Sequence, residues 1–199
     1  MKEKNKRTES VFYEIEQATD VKIQQTITPF LHLNNLTIAT SESVTTGLLQ
    51  AAIGKHSGAS KHYVGGATAY NLQLKSKLFG IDYDHANSCN CISSRVAEEM
   101  AKGALSLFMS DVAVATTGYC EPGALNEFGP AIAYFAVALK YNGNVIVESG
   151  EVNVESLSTH EITTPRELCQ KIIANSAISL LESVIINLTK NSINSQQDA

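Results

Sequence analysis

The sequence contains no tryptophan, only four prolines and four cysteines among 199 residues, and charged side chains make up just 18% of it. Cysteines this few, at the irregular positions Cys89, Cys91, Cys120 and Cys169, exclude a disulfide-held scaffold and read as free thiols. A metal centre lacks its ligands as well. Cys89-Asn90-Cys91 has no second Cys or His pair at ligand spacing, and His32, His56, His62, His85 and His160 stand singly, so no metal site is expected. Broad positive charge is also missing: the formal net charge is -5 and the pI about 5.5, which removes nucleic acid as a main partner. No stretch approaches the ~20 consecutive apolar residues of a membrane span. The densest runs, Ala131 to Leu139 and Ile178 to Leu188, are short or interrupted by Ser and Glu, so no membrane association is expected. The basic start, Met1 to Arg7, leads into no apolar segment and does not read as a secretory signal; a cytoplasmic location is expected.

What is present is a globular composition, 44% hydrophobic, in a chain that at roughly 150 residues per domain holds one domain with a sizeable core. The polar ends, 1–10 and 190–199, are expected to fray around a domain at 11–189. Short β-rich runs alternate with helical patterns, which predicts an α/β fold, a three-layer α/β/α sandwich around a mainly parallel mixed sheet. A helix is predicted from about Val11 to Leu33, with Pro29 as a kink, followed by a buried strand at Leu36 to Thr40. Ser41-Glu42-Ser43 reads as a polar turn before a helix from Thr45 to about His56. Tyr63 to Tyr70 suits a strand, with Asn71 capping the next helix, and Ser93 caps another. Asp111 to Thr117 is a strand leading into a long loop, Gly118 to Pro130. Ala131 to Lys140 and Asn144 to Val152 form a hairpin at Asn142-Gly143, and Thr164-Pro165-Arg166-Glu167 opens the last helix.

The segment from Thr40 to Gly47 carries the strongest chemical signal, because it sets several hydroxyls and a carboxylate where a strand's carboxyl end meets a helix N-terminus. Ligands collect at such places in open α/β sheets, and unpaired N–H groups there favour an anion or oxyanion. Ser43 or Thr45 also reads simply as a helix cap. A serine nucleophile needs a base, and no histidine stands at triad spacing. Lys75 lies near the start of the helix after the next strand, so its side chain could reach the same edge; desolvated there, a neutral lysine could take the serine proton. Read alone, Lys75 is an exposed helix lysine. Tyr70 could donate to the site or fill the sheet edge.

The order of these segments resembles the CinA C-terminal domain family, the nicotinamide-nucleotide amidases, over roughly Ala18 to Leu188. The family's L-T-L-A-T-A-E-S-C-T-G-G is similar to the run from Leu36 to Gly47, and its G-S-S to Gly58-Ala59-Ser60. G-G-V-V-A-Y-S-N-E-A-K resembles the run from Gly65 to Lys75, V-S-E-E-V-A the run from Ile92 to Ala97, and T-G-I-A-G-P-G the run from Thr117 to Gly123. The resemblance implies Ser43 as nucleophile, Lys75 as its base and Tyr70 as a supporting hydroxyl. Substrate contacts would come from Glu42, Thr45, Thr46, Gly47, Ser60, Thr117 and Gly118. It implies hydrolysis of nicotinamide mononucleotide to nicotinic acid mononucleotide and ammonia by acyl transfer, with no metal or cofactor, a small pyridine nucleotide as partner, and a homodimer.

Several positions depart from the family pattern. Thr46 stands where the family has Gly, Asn71-Leu72-Gln73-Leu74 replaces Ser-Asn-Glu-Ala, and Glu121 replaces Gly, setting a negative charge where an anionic substrate is expected. The glycine-rich run that follows in the family, with its lysine, is replaced by the lysine-free run from Ala124 to Ala131. Arg166 reads first as solvent-facing. Three readings stay open: an amidase for a pyridine nucleotide, a silent relative that binds a nucleotide or a protein, and an amidase for a less anionic substrate.

Overall fold

The computed structural model describes residues 2–121, 132–153 and 166–197, with side chains from 9 to 192 within those segments. Strand β1 (Ile38–Glu42) lies parallel between β2 (Tyr63–Thr68) and β3 (Val112–Gly118). Strands β4 (Ile132–Tyr141) and β5 (Asn144–Asn153) continue the sheet antiparallel, giving the order β2-β1-β3-β4-β5. The Asn142-Gly143 hairpin forms as its sequence predicts, with positive φ at both residues, the geometry a two-residue turn needs to match strand twist.

Alternation along the central strands sorts the two faces. Ile38, Val112, Val114, Val137 and Leu139 point to one side, where the π-turn Ile23–Ile27 that follows α1 (Lys2–Lys22) supplies Ile23 and Ile27, and α2 (Thr28–Leu33), α3 (Leu48–Gly54) and α7 (Arg166–Gln197) supply Leu31, Ile53, Ile178 and Leu181. Ala113, Ala115, Ala136 and Ala138 point to the other. Their small side chains let α6 (Ser94–Leu107) lie close, with its own Ala97, Ala101 and Ala104 buried among them. Two shorter helices, α4 (Leu72–Phe79) and α5 (Tyr83–Ser88), complete that layer. The expected three-layer α/β arrangement is the one observed.

Local differences from expectation have identifiable causes. The first helix begins at Lys2 rather than near Val11, and it passes Pro29 through a π-turn at Ile23–Ile27, where Thr28 N–H donates to Ile23 O five residues back. The slip absorbs the missing proline donor without a sharp break. Helix α7 runs on to Gln197. Its stretch Arg166–Ser192, with a mean hydropathy of 1.6 in its most apolar window, is by length and composition long and apolar enough to cross a membrane, contrary to the expectation from runs of apolar residues. One stripe of it, Ile173, Ala177, Ile178, Leu181 and Ile185, is buried in the core. The expected cap at Thr164-Pro165 and the loop from Pro122 to Ala131 lie outside the described residues.

Candidate active site

The carboxyl ends of the three parallel strands converge on one cavity of about 310 Å³. Ser43 follows β1 directly, Tyr70 and Asn71 follow β2, and Thr117 and Gly118 close β3; all five line the cavity with Lys75. Asn71 caps α4 by accepting from Leu74 N–H, which sets Lys75 in the first turn with its stem directed inwards. Lys75 is 2% exposed and Ser43 6%. Lys75 Nζ donates to Ser43 Oγ at 2.9 Å and to the Tyr70 carbonyl at 3.2 Å. Burial lowers the Lys75 pKa from the ordinary lysine range, favouring the neutral amine. A Cys91 thiolate would oppose that shift, but burial raises the Cys91 thiol and keeps it protonated. The exposed helix lysine of the bare sequence is thus a buried amine on a serine hydroxyl.

The other expected substrate contacts divide. Thr117 lines the cavity, its hydroxyl donating to Cys91 O at 2.7 Å. Gly118, also lining it, has φ +146, and a side chain there would meet Ala133 Cα at 2.4 Å, so glycine is required. Glu42 corrects the expectation that it touches substrate. It is the last residue of β1, fully buried, and its carboxylate accepts from Thr45 Oγ1 at 2.7 Å and from the N–H groups of Gly47, Leu49 and Gln50 at 2.8, 3.2 and 2.9 Å. The helix end expected to receive a substrate anion already holds the chain's own. Thr45 is corrected with it: buried, donating to Glu42 and accepting from Thr116 at 2.7 Å, it belongs to the support. Gly47 contributes its N–H to Glu42 rather than to a ligand.

Thr46 adopts φ +50 despite its branched side chain, and its hydroxyl turns to α7, where it accepts from Gln170 Nε2 at 3.3 Å. Ser60 is also corrected. It sits in the short 3₁₀ turn Ala59–Lys61 before β2, exposed at the amino edge of the sheet and therefore opposite the cavity. The Tyr70 phenol, 59% exposed, does not reach Lys75; its hydroxyl accepts from Arg166 Nη2 at 3.0 Å. Arg166 Nη1 donates to Glu121 Oε2 at 3.1 Å, so Arg166 stands at the cavity rim instead of facing solvent alone.

Seven lining residues lie outside the site expected from the sequence: Val44, Asn71, Leu72, Asn90, Cys91, Ile92 and Tyr119. Asn90 and Cys91 have φ +49 and +62, and the Asn90 amide donates to the Tyr119 hydroxyl, joining two loops across the wall. For Asn90 and Cys91 the only signal in the sequence is the close Cys-Asn-Cys spacing, which reads there as a candidate metal motif.

This layout can be compared with known proteins. The family model of the CinA C-terminal domain matches residues 20–185. The chain belongs to that family. A CinA-like protein of Mycolicibacterium gilvum is 41% identical over 104 residues, covering 52% of this chain and 25% of its own length. One from Chlorobium phaeobacteroides is 33% identical over 138 residues, covering 69% of this chain and 31% of the relative. The chain therefore spans about a quarter to a third of these CinA-like relatives. Among solved structures, a CinA superfamily protein from Klebsiella pneumoniae superposes with a TM-score of 0.71 at 20% identity, covering 87% of this chain and 98% of the other, a likeness of fold. The Escherichia coli superfamily protein gives 0.67 at 25% identity, covering 84% and 89%.

Proposed function

We propose that this CinA-family chain is an amidohydrolase that converts nicotinamide mononucleotide to nicotinic acid mononucleotide and ammonia through a Ser43–Lys75 dyad. The observation that carries the reading is the buried Lys75 amine 2.9 Å from Ser43 Oγ in a cavity open to a small ligand. Neutral Lys75 accepts the Ser43 proton as Oγ attacks the carboxamide carbon, giving a tetrahedral oxyanion. Lys75 returns that proton to the departing nitrogen, which leaves as ammonia. Water then gives a proton to Lys75 and attacks the acyl carbon, and Ser43 regains its proton as the acid is released. The Tyr70 carbonyl, accepting a hydrogen bond from Lys75 Nζ, holds the amine in line.

Ammonia release from nicotinamide mononucleotide by wild type, Ser43→Ala and Lys75→Ala tests this. Turnover by wild type and a loss of at least about 10³-fold in both variants is expected, given that dyad members act as a unit; full activity in Ser43→Ala would sink the dyad. A second reading, an amidase for a less anionic substrate, is favoured by one observation, the Glu121 carboxylate on Arg166 at the rim.

A further inference from the structure

Among the described residues that line the cavity, Lys75 is the only cation, and as the base it works uncharged. A further cation, Arg166, is tied to the lining residue Tyr70, and its fork is divided: Nη2 donates to the Tyr70 hydroxyl and Nη1 to Glu121. A phosphate engages a guanidinium best through two parallel N–H bonds, and here one arm is held by a carboxylate of the same chain. The helix end below Ser43 is closed to a phosphate as well, since Glu42 takes its N–H groups.

We infer that Glu121 is a specificity-determining residue: its carboxylate occupies the Arg166 arm that a substrate phosphate would take, biasing the site towards amides whose distal end carries no phosphate. The inference rests on the Ser43–Lys75 amidohydrolase reading and, within it, makes a phosphorylated amide such as nicotinamide mononucleotide a poorer substrate than its unphosphorylated counterpart. Arg166 and Glu121 side chains are 40% and 52% exposed, so the competition is that of a solvated ion pair, modest in size and sensitive to salt.

The experiment compares kcat/KM for nicotinamide mononucleotide and for the same nucleoside amide without phosphate, in wild type and Glu121→Gln. At low ionic strength the variant should raise the ratio of phosphorylated to unphosphorylated kcat/KM by about threefold to tenfold, the range of an exposed charge effect. The change should fall mainly on KM and shrink towards none at ~0.5 M salt, where screening acts within a few ångströms. A ratio unchanged or lowered overturns the assignment. Calorimetric titration of nicotinic acid mononucleotide and nicotinic acid riboside into Ser43→Ala, with and without Glu121→Gln, reads the same competition without turnover. A gain in affinity confined to the phosphorylated ligand upholds the role of Glu121 even if no ammonia is released, an outcome that sinks the amidohydrolase reading alone; equal affinities sink the role of Glu121.

Discussion

Lys75 and Glu42 set opposite demands at the residue scale. Lys75 is a buried amine whose pKa is lowered by burial, so unfolding below the ordinary lysine value lets it take up a proton and the folded chain bears the cost. Turnover should therefore rise with pH through the lowered Lys75 value and level off below about 10.5, the unperturbed value. A profile that begins to rise only at or above about 10.5 would contradict this. Lys75→Met, which fills the same space without charge, should abolish turnover and leave stability equal or higher by about 1 kcal/mol, a common exchange at active sites; urea titration at pH 7 measures it, and a clear loss would show that the bond to Ser43 outweighs desolvation. Glu42 behaves conversely, because four donors converge on a fully buried carboxylate. Glu42→Gln should destabilise by roughly 2–3 kcal/mol, since an amide turns an N–H towards donors and strands them. Nothing in the one-dimensional pattern separated these two: both read as polar residues near a turn, and their burial depends on partners 32 and up to 8 positions away.

At the scale of elements, strand and helix order was legible because period-two alternation, caps and turn residues are local. Asn71 and Ser93 cap the helices they were expected to cap, and the Asn142-Gly143 turn forms. Boundaries moved where a side chain competed with the backbone pattern. Ser41 and Glu42 read as a polar turn, yet both lie in β1, because Ser41 Oγ donates to Met100 O and Glu42 is satisfied by α3. Ser60 was misplaced because motif order says nothing of which sheet edge a loop occupies; preceding a strand, it falls at the amino edge. Gly118 shows how tightly β3 and β4 approach at the cavity. Gly118→Ala would place a Cβ 2.4 Å from Ala133 Cα at φ +146. A loss of roughly 2–3 kcal/mol is expected from the forced strand shift, seen as a melting temperature lower by about 4–12 °C in a chain of this size. An unchanged melt would mean that the two strands separate there at little cost.

The Ser43–Lys75 pair lies at the carboxyl edge of the sheet, and a separate cluster of histidines lies at the amino edge. His62, 2% exposed just before β2, lies with Nδ1 3.0 Å from Nε2 of His32 on α2. His56 approaches from the turn after α3, where Asp20 and Gln24 of the first helix face it and Lys55 pairs with Asp20. Burial first, then the charges of His32 and His56, lower the His62 pKa below its ordinary 6.5. As pH falls through 6.5 the unfolded chain protonates His62 while the folded chain does not, so the unfolded state binds more protons and stability declines until the lowered folded value is passed. The contribution is fully present above about 6.5, within the usual range of histidine titration. Urea midpoints should accordingly drop between pH 7.5 and 5.5, with a smaller drop in His62→Gln, which cannot take the proton. A wild-type midpoint constant across that window, or an equal slope in the variant, would place the acid sensitivity elsewhere. Because this cluster stands at the edge opposite Ser43 and Lys75, His62→Gln should retain the pH profile of turnover at 25 °C, which separates an acid-labile fold from an acid-labile site.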